Sequence, residues 1–212
     1  MGNRDLIPRC SVVVLTAPHF FDGEAHLLTR LFEAGMQRLH IRKPGGTVEE
    51  LKGLLNRLPP SYYSRIVVHD HFELASNYPL AGIHLNRRNP AIPEGFEGSV
   101  SRSCHTIEEL NQYAACDYLF LSPLFQSISK EGYGASFRIS DLQEAAQRGD
   151  IHRRVFALGG IDKETIPLLK GCGFGGVALL GALWGATREA LPDEEQIIQR
   201  YKEILSITTN CL

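Results

Sequence analysis

Residues 117–134 read DYLFLSPLFQSISKEGYG. Tyr118, Leu119, Phe120 and Leu121 form an unbroken apolar run, the pattern of a strand buried on both faces. Ser122-Pro123 ends it, because proline has no N–H for a sheet ladder. The loop that follows carries Ser127, Ser129 and Lys130, with Gly132 and Gly134 behind them. Two hydroxyls and an ammonium at the carboxyl end of an apolar strand can cradle a phosphate, through directional hydrogen bonds and a point charge. The same residues would also serve as an ordinary solvated loop.

The strand-then-loop pattern recurs in both directions from this stretch. Upstream, strands are expected at 11–16 (SVVVLT), 37–42 (QRLHIR), 65–69 (RIVVH), 81–85 (AGIHL) and, shorter and more polar, 99–103. Downstream they are expected at 154–158 (RVFAL) and 175–180 (GGVALL). Helical spacing lies between them, as in Leu27, Leu28, Leu31 and Phe32. Thr47 reads as an N-cap with Glu50 completing a capping box; Thr106 with Glu109 repeats it, and Ser140 is the expected cap after the central stretch. A helix runs through Lys170, and a last one of about 14 residues starts near Asp193. About eight alternating units with no linker or composition shift predict an α/β fold, a single (β/α)8 TIM barrel over residues 1–212 with its site at the carboxyl ends of the strands. An open doubly wound sheet is the rival architecture.

The bulk properties narrow the partners. The chain has 212 residues, 43% hydrophobic and 22% charged, with a net charge of -2. Without a basic field, nucleic acid is excluded as a partner and anionic small molecules must be held by local charge. Five cysteines without CxxC or metal-type spacing suit a reducing compartment, with Cys104 and Cys172 packed as small apolar residues. The absence of a signal-like or membrane-length apolar run predicts a cytoplasmic protein that does not contact membranes. A homo-oligomer is left open.

In a barrel the polar strand ends converge. Strand two delivers His40, Arg42 and Lys43; strand three His69, Asp70 and His71; strand four His84, Asn86, Arg87 and Asn89. Strand five delivers Ser101, Ser103 and His105, and strands seven and eight deliver Gly159, Gly160 and Gly181, whose N–H groups can approach a phosphate closely. Arg42, at an apolar strand end, calls for a carboxylate or phosphate, and Asp70 could simply neutralise it. His84 is expected inside the barrel, satisfied by its neighbours.

This set resembles the thiamin phosphate synthase and TenI family over roughly Val12 to Trp184. LHIRK (39–43) is similar to the family's Gln-Leu-Arg-x-Lys strand, VVHDHFELA (67–75) to its Asn-Asp-x-x-x-Leu-Ala segment, and GIHLNRRN (82–89) to Gly-Val-His-Leu-Gly-Gln-x-Asp. SRSCHTIEEL (101–110) resembles Ser-x-His-x-x-Glu-Glu, and DYLFLSPLFQSISK (117–130) resembles Asp-Tyr-x-x-x-Gly-Pro-x-Phe-x-Thr-x-Thr-Lys. FALGGI (156–161) and VALLGALW (177–184) resemble the two glycine-bearing strand ends. The resemblance implies an enzyme that joins hydroxymethylpyrimidine pyrophosphate to a thiazole phosphate, giving thiamin phosphate and pyrophosphate. It implies Arg42 and Lys43 for the pyrophosphate, Asp70 for Mg2+, and Ser127, Ser129, Lys130 and Gly160 for the thiazole phosphate.

Three departures stand out. The family's second magnesium carboxylate falls on Asn89, a poorer ligand for a hard cation. Its pyrophosphate lysine falls on Pro44, leaving Lys43 one residue out of register, and His40 replaces a glutamine. These changes keep two alternatives open: a metal-free thiazole tautomerase of the TenI type, with His40, His69, His71 or His105 as acid/base, and an idle phosphate-binding barrel with a regulatory or scaffolding role. The TenI branch's catalytic histidine falls on Pro123, the synthase-like residue.

Overall fold

The structure, a computed structural model, describes residues 11–125, 137–185 and 193–212. Eight parallel strands close on themselves in sequence order: β1 (Ser11–Leu15), β2 (Arg38–Ile41), β3 (Ile66–Val68), β4 (Gly82–Leu85), β5 (Ser99–Cys104), β6 (Tyr118–Leu121), β7 (Val155–Leu158) and β8 (Gly176–Leu179). β8 returns to β1, pairing Val12 with Val177 and Val14 with Leu179, so no edge is left open. Helices α1 (Glu24–Glu33), α2 (Val48–Arg57), α3 (Leu74–Asn77), α4 (Ile107–Gln112), α5 (Ile139–Arg148), α6 (Gly181–Trp184) and α7 (Glu194–Cys211) complete the βα units. This is the barrel expected from the alternation, and the doubly wound rival is set aside by its closure.

Alternation along the strands separates two packing zones. Val12, Val14, Leu39, Ile41, Ile66, Val68, Ile83, Leu119, Leu121, Val177 and Leu179 point outward and pack under the helices. Val13, Leu15, Tyr118, Phe120, Phe156 and Ala178 point inward and fill the barrel. His40, His84 and Ser101 share that interior, at 0%, 1% and 0% exposure. The helices meet the outer zone through their apolar stripes, Leu27, Leu28, Leu31 and Phe32 on α1 and Leu51, Leu54 and Leu55 on α2. Cys104 and Cys172 are fully buried free thiols, packed as small apolar groups as expected.

Local signals behave as their chemistry dictates, with four corrections. The Thr47–Glu50 capping box is complete, with Glu50 N–H donating to Thr47 Oγ1 and Thr47 N–H donating to Glu50 Oε2. Thr106 caps α4, but Glu109 Oε2 accepts from the His105 N–H instead. Ser140 does not cap α5; the helix starts two residues earlier than that cap would set, with Arg138 at the cap, and Ser140 Oγ turns to Asp141. The expected helix through Lys170 is a short 3-10 turn at Ile166–Leu169, and α7 runs longer than expected, 18 residues from an Asp193 cap. No helix among the described residues is long and apolar enough to cross a membrane.

Candidate active site

The carboxyl ends of β2, β3 and β4 and their loops border a cavity of about 460 Å³, with Gly45, Gly46, Asp70, Phe72, Arg88 and Asn89 on its wall. The β4 loop is pinned by Asn86: its Oδ1 accepts the N–H groups of Arg88 (2.9 Å) and Asn89 (3.0 Å), and its Nδ2 donates to the carbonyl of His69 (2.5 Å). That places Arg88 and Asn89 beside Asp70, the next residue after His69. Arg88 Nη2 lies 2.9 Å from both Asp70 oxygens, Nε donates to Oδ1 at 3.1 Å, and Asn89 Nδ2 donates to the same Oδ1 at 2.9 Å.

Arg42 stands next to this pair. Its backbone is clamped by Thr16, whose Oγ1 accepts the Arg42 N–H (3.0 Å) and donates to the Arg42 carbonyl (3.1 Å). Burial pulls its guanidinium pKa down, the Arg88 charge pulls the same way and the Asp70 charge opposes both. Asp70 therefore does not belong to Arg42 alone, and its direct partner is Arg88. Neither composition nor motif singled out Arg88; the signal for it was an asparagine two residues upstream, able to fold the loop back in an Asx turn.

Lys43 is corrected. Its ammonium leaves the cavity for the space between β1 and α1, where it donates to Glu24 Oε1 (2.5 Å) and to the carbonyls of Ala17 and His19 (2.8 Å each). Those three acceptors use all three of its protons. It also lies 4.7 Å above the Phe20 ring. Both ionised side chains are 1% exposed, so the pair is a buried structural ion pair and not a phosphate ligand.

The histidines separate into interior and surface groups. His40 Nδ1 lies 2.9 Å from His69 Nε2, and His40 Nε2 lies 2.6 Å from Tyr118 Oη. His84 bridges Ser101 Oγ and Ser103 Oγ, at 2.9 Å each, and its ring stacks on His69 with centroids 4.1 Å apart. Burial holds His40 and His69 well below the ordinary imidazole pKa, neighbouring charge adds to it, and His84 falls to about 3. His40 and His69 are thus held neutral within this buried network, and His84 is the satisfied interior histidine expected. Their ring nitrogens converge within 4.8 Å, but His40 is already paired with His69 and the Tyr118 hydroxyl, and His84 with two serine hydroxyls. Ser103 reaches the same network, so its hydroxyl is committed to His84. His71 and His105 remain near the surface, turned to the carbonyls of Gly46 and Ser122.

Across the mouth, the ends of β7 and β8 supply the glycine turns. Gly159 has φ of 93° and packs so closely on the β6 loop that a Cβ would lie 2.8 Å from Pro123 Cα. Its carbonyl accepts the Phe125 N–H at 3.1 Å. Gly160 has φ of 65°, and Gly181 opens α6 with free space over its Cα. Ser127, Ser129 and Lys130 lie outside the described residues.

The residues at Asp70 do not fit magnesium as they stand. The Arg88 guanidinium caps both Asp70 oxygens, so an ion there would meet a fixed positive charge; Asn89 presents its donor side, and the cavity's other carboxylate, Glu73, turns to His71 Nδ1 at 3.5 Å.

The thiamine monophosphate synthase family model matches residues 12–183. A thiamine-phosphate synthase of Bacteroides fragilis is 28% identical over 194 residues, covering 82% of this chain and 88% of that protein. Thiamine phosphate pyrophosphorylase from Bacteroides thetaiotaomicron superposes with a TM-score of 0.83 at 37% identity, covering 94% of this chain and 97% of that one. Thiamine phosphate pyrophosphorylase from Pyrococcus furiosus shares the fold, with a TM-score of 0.74 at 18% identity over the full length of both chains.

Proposed function

The chain belongs to the thiamine monophosphate synthase family, and we propose that it is a transferase joining hydroxymethylpyrimidine pyrophosphate to thiazole phosphate, releasing pyrophosphate and thiamin phosphate. In this reaction the bond from the pyrimidine methylene to the pyrophosphate oxygen breaks, and a bond from the thiazole ring to that methylene forms. Negative charge grows on the leaving pyrophosphate and positive charge on the methylene carbon, so fixed cations at the pyrophosphate lower the barrier.

The observation that carries the reading is the division of one barrel mouth into two anion-suited sectors. Arg42 and Arg88 gather at the ends of β2 and β4, and the Gly159–Gly160 turn and Gly181 lie at the ends of β7 and β8. Two phosphorylated substrates that react head to tail need such an arrangement.

The test is incubation with both substrates, with and without magnesium, following thiamin phosphate by conversion to a fluorescent product. Product above background supports the transferase. No product, with thiazole phosphate still bound, overturns it and favours the tautomerase or the idle barrel.

A further inference from the structure

The β4 loop sets a guanidinium where a cation is wanted. Arg88 is aligned on Asp70 by two anchors that do not depend on any ligand: the Asn86 carboxamide on its own N–H, and the bond from Asn86 to the His69 carbonyl. The Arg88 side chain is 57% exposed although Asp70 is 17% exposed, so one edge of the planar fork grips the carboxylate while the rest faces the cavity. A guanidinium offers five donors in a fixed plane and matches phosphate oxygens two at a time.

We propose that Arg88 is the resident cation of the pyrophosphate sector and binds the substrate's diphosphate directly, in the place a divalent metal would take. The proposal rests on the transferase reading above. A dication brought to Asp70 would sit within contact distance of the Arg88 charge and close to Arg42, where like charges repel. The diphosphate meets no such barrier. Asp70 then orients Arg88, and Asn89, which donates to Asp70, steadies the carboxylate.

The experiment is calorimetric titration with inorganic pyrophosphate, in EDTA and in magnesium, of the wild-type chain, Arg88→Ala, and Arg88→Ala with Asn89→Asp, alongside thermal melts and the synthase assay. The wild type is expected to bind pyrophosphate with Kd values in EDTA and magnesium within about 3-fold of each other. Arg88→Ala is expected to keep its melting temperature and bind at least ~10-fold more weakly in EDTA. The double variant, which frees Asp70 and restores a second carboxylate, is expected to regain binding only with magnesium. Wild-type binding that requires magnesium, or Arg88→Ala that binds like the wild type, overturns the proposal. Arg88-dependent, metal-independent pyrophosphate binding without thiamin phosphate formation supports the Arg88 site and counts against the transferase reading.

Discussion

The Lys43 ammonium lies 2.5 Å from Glu24 Oε1, with both side chains 1% exposed, and this pair ties the end of β2 to the first turn of α1. Burial alone raises the Glu24 pKa and lowers that of Lys43, and each partner's charge opposes the shift on the other. Removing one partner strands the other charge in an apolar setting. Lys43→Ala should therefore cost about 3–5 kcal/mol in urea unfolding while leaving KM for the pyrimidine pyrophosphate unchanged. Adding Glu24→Gln should recover part of the loss. A stable Lys43→Ala with a raised KM would instead return Lys43 to the pyrophosphate site.

The buried imidazoles predict how stability responds to pH. His40, His69 and His84 stay neutral in the folded chain because their pKa values are lowered, to about 3 for His84. Unfolded, they take up protons below about pH 6.5. The unfolded state then binds more protons, so stability falls as pH drops through that value, by up to ~1.4 kcal/mol per pH unit for each histidine. Urea unfolding at about pH 7.5 and about pH 5 measures the slope, and His40→Gln should flatten it. Equal stability at the two values would mean that the cluster is charged or open to water.

Much of this was readable beforehand, for identifiable reasons. Apolar runs bounded by turn residues located every strand of the barrel to within a residue or two, and the Thr47 cap followed from spacing alone. Period-two alternation already put His84 inside; applied to Arg38, His40 and Arg42 it also puts His40 in the barrel, where it pairs with Tyr118. What stayed hidden depends on contacts across the sequence. Lys43 turns away because Glu24, 19 residues upstream, is brought beside it by packing of α1. Arg88 joins Asp70, 18 residues upstream, only once β3 and β4 are paired and Asn86 has closed its loop.

Gly159 links the phosphate sector to the β6 loop. Its φ of 93° and the 2.8 Å approach of a Cβ to Pro123 leave no room for a side chain. The adjacent bonds, Leu124 N–H to the Leu158 carbonyl (3.0 Å) and Phe125 N–H to the Gly159 carbonyl (3.1 Å), would have to yield. Gly159→Ala should cost about 1–3 kcal/mol and raise KM for thiazole phosphate more than KM for the pyrimidine substrate. A melt combined with separate KM determinations checks both parts. Equal changes in the two KM values would show that the turn serves stability alone.

Arg42 supplies the remaining fixed charge, and its effect should be on rate. Thr16 holds its backbone from both sides, so the guanidinium starts from a set position at the mouth of the barrel. Because the charge on the pyrophosphate grows as it leaves, losing a preorganised donor there should lower kcat by about 100-fold in Arg42→Ala, with little change in melting temperature. Arg42→Lys keeps the charge and loses the planar fork, so it should fall between the two. Thr16→Val removes the clamp without touching the guanidinium and should give a smaller loss of the same kind. If Arg42→Ala turns over within ~2-fold of the wild type, Arg88 alone carries the pyrophosphate and the β2 end has no part in the chemistry.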